Sequence, residues 1–410
     1  MAARVPRREP GGASCWPLAV SAGLLGLGQN GLLVALPVLI NETRLSLSVW
    51  AGLLTLGSTL FLPASPRWGR VISRRGGKPV VHVALGGFTA SFALLGLTCL
   101  LLAAAAIDVP AGLALLVLAR IGYGLTVSGM VPACQTWALQ RAGEERRMAA
   151  LAAISSGLSG GRLFGPLAAA GMLAWHPLAP LGLLVIAPLA AWLLILPLAG
   201  DPPRPRGDRP ATRPTLACLP YLACALLLAA GLSLMQLGLA PTVRPLLGGD
   251  DAQVGRHVAG LLSLAALASL TAQFAILRPQ RLTPRPLLTL AGLLLVTGLT
   301  LMVSRHVPLV YLGCGVLSFG AALATPAYQL LVNDRMDDGA GAGWVAASHT
   351  LGYALSALLV PTVATVSGDS ALMPVALATA VAFLVVSVWI RFERARPVGD
   401  SGGGARPIRG

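Results

Sequence analysis

The sequence has 410 residues, of which 55% are hydrophobic and only 11% charged, with 48 Gly and 31 Pro. Soluble chains carry charge on about a quarter of their residues, and a single apolar core stops growing near roughly 250–300 residues, so an ordinary soluble fold is excluded. The bilayer is the solvent implied. A formal net charge of +15 fits a nucleic-acid partner only if the basic residues gather on one surface, and their positions decide against that.

Apolar windows of about 20 residues, the length that crosses roughly 30 Å of hydrocarbon, number twelve: 17–40, 49–66, 80–104, 111–137, 148–173, 179–198, 216–241, 257–277, 286–303, 307–332, 342–367 and 371–390. The expectation is an all-α membrane protein of twelve transmembrane helices. Arg7-Arg8 precedes the first window, but Leu18 to Ile40 is too long for a signal-peptide core and a second span follows, so it reads as a retained helix. Cys15 lies on the wrong side of that stretch for a lipoprotein cleavage site. The longest gap, DPPRPRGDRPATRP after Gly200, is rich in Pro and Arg and cannot bury a core. The expected organisation is a tail over 1–16, a six-helix bundle over 17–199, a linker over 200–215, a second bundle over 216–392 and a tail over 393–410.

Alternating from a cytoplasmic amino terminus, most basic residues fall inside: Arg4, Arg7 and Arg8; Arg67, Arg70, Arg74, Arg75 and Lys78; Arg141, Arg146 and Arg147; Arg204 to Arg213; Arg278 to Arg285; Arg335; and Arg391 onward. Outside lie only Arg44, Arg244, Arg256 and Arg305, and within spans only Arg120 and Arg162. By the positive-inside rule both termini are cytoplasmic. The excess is an orientation signal, so no nucleic-acid partner is expected. The 6 cysteines are scattered without metal-ligand spacing, and no metal is expected. Asn41-Glu42-Thr43 matches a glycosylation sequon that matters only in a secretory-pathway host. Arginine in place of lysine throughout fits a GC-rich bacterial gene, hence a multi-pass protein of a bacterial inner membrane.

The halves resemble each other. Gln29-x-Gly31-Leu32 recurs as Gln236-x-Gly238-Leu239, Ala51-Gly52-Leu53-Leu54 as Ala259-Gly260-Leu261-Leu262, and Pro132-Ala133-x-Gln135 as Pro326-Ala327-x-Gln329. Three matches in sequential order indicate a duplicated six-helix unit, the construction that places a transport site between two rocking halves. After the second window, Gly69-Arg70-Val71-Ile72-Ser73-Arg74-Arg75-Gly76-Gly77-Lys78 resembles the loop signature of the major facilitator superfamily, with Ser73 at its acidic position and Gly77 at a basic one. The resemblance implies conformational roles for Gly69, Arg74, Gly76 and Lys78, and the two departures weaken the charge relay between helices. Leu116-x-x-x-Arg120-x-x-x-Gly124 is similar to the superfamily's fourth-helix motif, whose arginine faces the cavity. Gly161-Arg162-Leu163-Phe164-Gly165-Pro166 is similar to the fifth-helix motif of its twelve-helix drug/proton antiporters: Gly161 and Gly165 share a face and admit a neighbouring backbone, and Pro166 removes a donor and permits a bend.

Charges at membrane depth mark functional sites. All 15 carboxylates lie in loops, tails or helix ends. The acid that the resemblance places near Ala35-Leu36-Pro37 is replaced by Gly28, beside Gln29 and Asn30. A cavity lined by Arg120, Arg162, Gln29, Asn30, Gln135, Gln236, Tyr328 and Gln329 is polar and positive, suited to an anionic or zwitterionic cargo such as a metallophore or a weakly acidic drug. His349 is the one histidine well inside a span and the candidate for proton coupling. The expected function is proton-coupled efflux of a small organic molecule by alternating access. It would run on the proton gradient without a cofactor, with the lipid bilayer and the cargo as partners and the monomer as the working unit. Import of an organic anion is the alternative. A remote one is an intramembrane serine protease pairing Ser159 of Gly157-Leu158-Ser159-Gly160 with His349. No phosphate loop, dinucleotide or HExxH pattern is present, so the chain is not expected to be an enzyme.

Overall fold

The computed structural model describes residues 15–200, 214–247, 251–280, 282–304, 306–367 and 371–392. The two tails, apart from Cys15 and Trp16, and most of the expected linker lie outside them. Among the described residues the chain is helical without strands. The order is α1 (Trp16–Thr43), α2 (Leu47–Thr59), α3 (Phe61–Arg75), α4 (Gly77–Ala103), α5 (Val109–Val127), α6 (Met130–Ala142), α7 (Arg147–Leu173), α8 (Ala179–Ile195), α9 (Leu219–Val243), α10 (Asp251–Ala272), α11 (Pro284–Met302), α12 (Val307–Asn333), α13 (Asp338–Ser367) and α14 (Leu372–Phe392).

Nine stretches among the described residues are long and apolar enough to cross a membrane by length and composition. The other windows depart from that standard for identifiable reasons. The second is split into α2 and α3, because Pro63 has no N–H for the carbonyl one turn back. The fifth, α7, has the length, 27 residues, but Arg147, Arg162 and a run of Gly and Ser lower its hydropathy. The sixth, α8, is apolar but only 17 residues long. The fourth window is split too, into α5 and α6: Pro132 frees the carbonyl of Ser128, which accepts from Ser65 Oγ at 3.4 Å. The segment expected as a loop after the second window is instead helix up to Arg75. The turn falls at Gly76, whose φ of 84° only glycine adopts cheaply.

The buried apolar side chains form two cores. One is drawn from Leu18 to Ile195; the other is drawn mainly from α9 to α14 and also takes in Leu139, Met148, Leu151 and Ala152 of α6 and α7. In the first, α1 and α7 run side by side with almost no side chain between them. A methyl on Gly157 would stand 1.9 Å from the Ala19 carbonyl oxygen, and one on Gly161 1.9 Å from that of Gly23. Without a hydrophobic driving force between helices in lipid, such close backbone approach supplies the van der Waals contact that holds them together. The expected Gly161–Gly165 face is therefore the α1 contact, extended one turn by Gly157.

The cores meet at the arginine-rich end. There α3 and α6 pack on the start of α13, and α7 packs on α10 and α12. Gly69 and Gly343 let α3 and α13 touch by backbone: a methyl on Gly69 would lie 2.7 Å from the Gly339 carbonyl oxygen, and one on Gly343 2.7 Å from that of Ser65.

Gly160 and Gly161 give a paired test of the α1–α7 contact, because a methyl at Gly160 meets open space. Gly161→Ala should cost about 1–3 kcal/mol by overpacking, whereas Gly160→Ala should be neutral or stabilising by up to about 1 kcal/mol. Thermal unfolding of the two variants in the same detergent would show it; equal melting temperatures would remove the contact from the stability of the fold.

Candidate functional site

Where α12 meets α13, two of the expected residues come together. Tyr328, fully buried on α12, donates to Thr325 Oγ1 at 3.2 Å and is in hydrogen-bond contact with Nε2 of His349 on α13. The two rings stand 5.7 Å apart at 80°. Arg162 lies on α7, which packs on α12. Its guanidinium is exposed and makes no hydrogen bond to a described residue. The cation is thus on α7, and the tyrosine–histidine pair is on α12, which packs against it, and on α13.

The position of Arg162 follows from the proline that succeeds it. Pro166 cannot donate to the carbonyl of Arg162, and that carbonyl accepts instead from Asn30 Nδ2 at 3.0 Å. In hydrocarbon an unpaired carbonyl costs several kcal/mol, so Asn30 is committed to α7 and fixes the turn that carries Arg162. Gly26 contributes from the same helix: a methyl there would come within 2.7 Å of the Arg162 backbone nitrogen.

Arg120 is placed differently. It is 5% exposed, donates from Nε to the Leu53 carbonyl at 3.2 Å and lies 4.6 Å over the Tyr123 ring. Gly57 makes the room, since a methyl there would stand 2.7 Å from Nη2. Tyr123 belongs to an aromatic group with Phe61, Phe88 and Phe92. Arg120 is thus partnered by a carbonyl and a π-face on α2 and α5, with its terminal nitrogens bonded to no described residue. Gln29 and Gln236 are exposed at matching places on α1 and α9, and Gln135 is buried on α6. Gln329, 1% exposed, donates to Asn333 Oδ1 at 3.0 Å. Its Oε1 and the Asn333 Nδ2 are buried without partners among the described residues, as is Oε1 of Gln273. Ser159 accepts from Gln273 Nε2 at 3.3 Å, so the serine and histidine of the protease alternative have different partners.

The motif after the second window divides its work. Lys78 Nζ donates to the carbonyls of Leu196 and Leu198 at 3.2 and 2.6 Å, capping the end of α8 within its own core. Arg74 is exposed on α3. Ser73, at the acidic position, donates across the joint to Asp337 Oδ1, which also caps α13 by accepting from the amides of Gly339 and Ala340 at 3.0 and 3.3 Å. The acid missing from α3 is therefore present on α13, with donor and acceptor exchanged. Beside it Arg147 bonds Asp338 at 3.0 Å and Glu144 at 3.1 Å. Burial works against the Arg147 charge, but Asp338 first, and then Glu144 and Asp334, outweigh it and strengthen its hold on the proton. These partners were missed because nothing in the sequence pairs residues 73 and 147 with 337 and 338.

The sequence matches the Major Facilitator Superfamily model over residues 18–357. The chain belongs to the major facilitator superfamily. No curated protein matches it in sequence. Its fold is similar to that of the human organic anion transporter MFSD10 (TETRAN), at 17% identity, 91% of this chain, 98% of that one and a TM-score of 0.65. FucP in its outward conformation is similar at 14% identity, 92% and 98% coverage and a TM-score of 0.71. A bacterial homologue of the iron transporter ferroportin, outward-facing, is similar at 17% identity, 92% and 99% coverage and a TM-score of 0.67. The chain is thus a multi-pass membrane transporter of this superfamily, and Ser73, Arg147, Asp337 and Asp338 lie where its two cores are joined.

Asp337→Ala removes the helix cap and the Ser73 bond together. With about 1–3 kcal/mol at stake for such buried bonds, the ratio of closed to open arginine-rich ends should fall roughly 5- to 150-fold. Distances between spin labels at that end would report the change; an unaltered distribution would show that these bonds do not hold the joint.

Proposed function

We propose that this chain is a proton-linked secondary transporter that carries a small organic anion or zwitterion across a bacterial inner membrane by alternating access. The reading includes twelve spans with both termini cytoplasmic, a monomer as the working unit and the proton gradient as the energy source, with no cofactor. The observation that carries it is the exposed Arg162, whose guanidinium bonds to no described residue, on a helix that packs on the α12 of the Tyr328–His349 pair. A guanidinium offers a forked set of donors that matches a carboxylate or phosphate, and a histidine side chain can take up and release a proton. Arg120, Gln29, Gln135, Gln236 and Gln329 are the further polar groups assigned to the cargo.

Direction has two readings. Export follows from the likeness of Gly161 to Pro166 to the antiporter motif. Co-transport of proton and anion, which runs inward under the usual gradient, is favoured by the proximity of Arg162 and His349. An anion on the first and a proton on the second attract, so each raises the occupancy of the other, whereas exchange needs them to compete. FucP, a fucose:proton symporter of E. coli, shares the fold and nothing more specific.

Arg162→Ala should lower transport of an anionic substrate by at least about 100-fold, the order expected for losing a bidentate ion pair of roughly 3 kcal/mol, while folding is retained. Arg120→Ala should abolish transport as well, with circular dichroism and monodispersity confirming the fold. Wild-type rates in the Arg162 variant would sink the assignment. His349→Ala should flatten the pH profile. In proteoliposomes, an imposed acid-outside gradient that drives cargo inward would establish co-transport, and one that drives it outward would establish exchange.

A further inference from the structure

The strongest unassigned feature is on α3. Its buried face, Ser65, Gly69, Ile72 and Ser73, is turned to α13, and Trp68 donates to the Leu125 carbonyl at 2.6 Å on the α5 side. The remaining face carries Arg67, Arg70 and Arg74, all exposed. Spaced three and four residues apart, they project from one side of the helix. Along the axis they form a ladder of about 10 Å. None makes an ion pair among the described residues, and the bond from Arg67 Nη1 to its own helix at Pro63, 2.8 Å, uses one donor of five. No described helix packs on this face: the neighbours of α3 are α2, α4, α5, α6 and α13, on the other sides.

Three guanidiniums at the boundary of a membrane helix need negative charge or water. The second apolar window, 49–66, ends directly before Arg67, so the three follow the span into the level of the headgroups. Positive-inside orientation asks only for basic residues near the span ends; it does not ask for their alignment on one exposed face of a helix. Charge, depth and alignment together match an acidic lipid headgroup, whose phosphate lies at this level and binds arginine bidentately.

We propose that the Arg67–Arg70–Arg74 face of α3 is a binding site for the phosphate headgroup of an anionic phospholipid. The same helix closes the arginine-rich end through its opposite face, at Gly69 and Ser73, so a lipid held there bears directly on the element that must move. The site rests on the membrane orientation proposed above and is independent of the cargo.

The test uses the full chain in nanodiscs of phosphatidylcholine, alone or with phosphatidylglycerol, followed by native mass spectrometry of the released protein. Wild type should retain phosphatidylglycerol over phosphatidylcholine, and Arg67→Gln/Arg70→Gln/Arg74→Gln should lower that preference about tenfold or more. Arg391→Gln, at another exposed arginine at the end of a span, should leave it unchanged. If the triple variant fails to fold, Arg70→Gln and Arg74→Gln singly should each lose part of the preference. No preference in the wild type, or the same preference in the variants as in the wild type, overturns the proposal. Transport by a variant that has lost the preference remains measurable, so failure of the lipid site and failure of the transport reading are distinguishable.

Discussion

Hydrocarbon offers no hydrogen bonds, and this chain places prolines inside its membrane helices. Each proline frees a carbonyl one turn earlier, and the position of that carbonyl determines which helix must answer it. Ser65 answers the one freed by Pro132; Asn30 answers the one freed by Pro166. The second of these settles the site. It binds α1 to α7 at the residue whose side chain is the exposed cation, so the residue that satisfies the backbone also orients Arg162. The glycines at 157, 161 and 165 bring α1 near enough for the bond to form.

The two arginines within spans were legible in the sequence as the costly residues of the membrane region, and so were the class of fold and the order of its helices. Their different circumstances were not. Arg120 is received by an aromatic face three residues on in its own helix and by a glycine notch on another helix, and neither has a spacing that announces it. Arg162 and His349 are far apart in the chain, and only the packing of α7 on α12, which holds the partner of His349, relates their helices. Tyr328 and His349 were each identifiable as polar residues in apolar helices, but their bond depends on the rotation of α12 relative to α13.

The joint between the halves shows the same limit in another form. A family motif locates Ser73, and comparison with that motif alone suggests a lost charge. The structure keeps the interaction by moving the carboxylate to Asp337, where the start of α13 needs a cap in any case. A motif records residue types on one helix, whereas an interaction requires only that donor and acceptor meet. The end of α3 was read as loop for a related reason: its arginines look like loop chemistry until their spacing places them on the outer face of a helix.

The buried amide atoms of Gln273, Gln329 and Asn333 give the joined end a further property. An amide left without a protein partner costs about 1–3 kcal/mol unless water reaches it, so these side chains add little to the cohesion of the seam. What holds the two cores together there is the close backbone approach at Gly69 and Gly343 and the ion pair of Arg147 with Asp338.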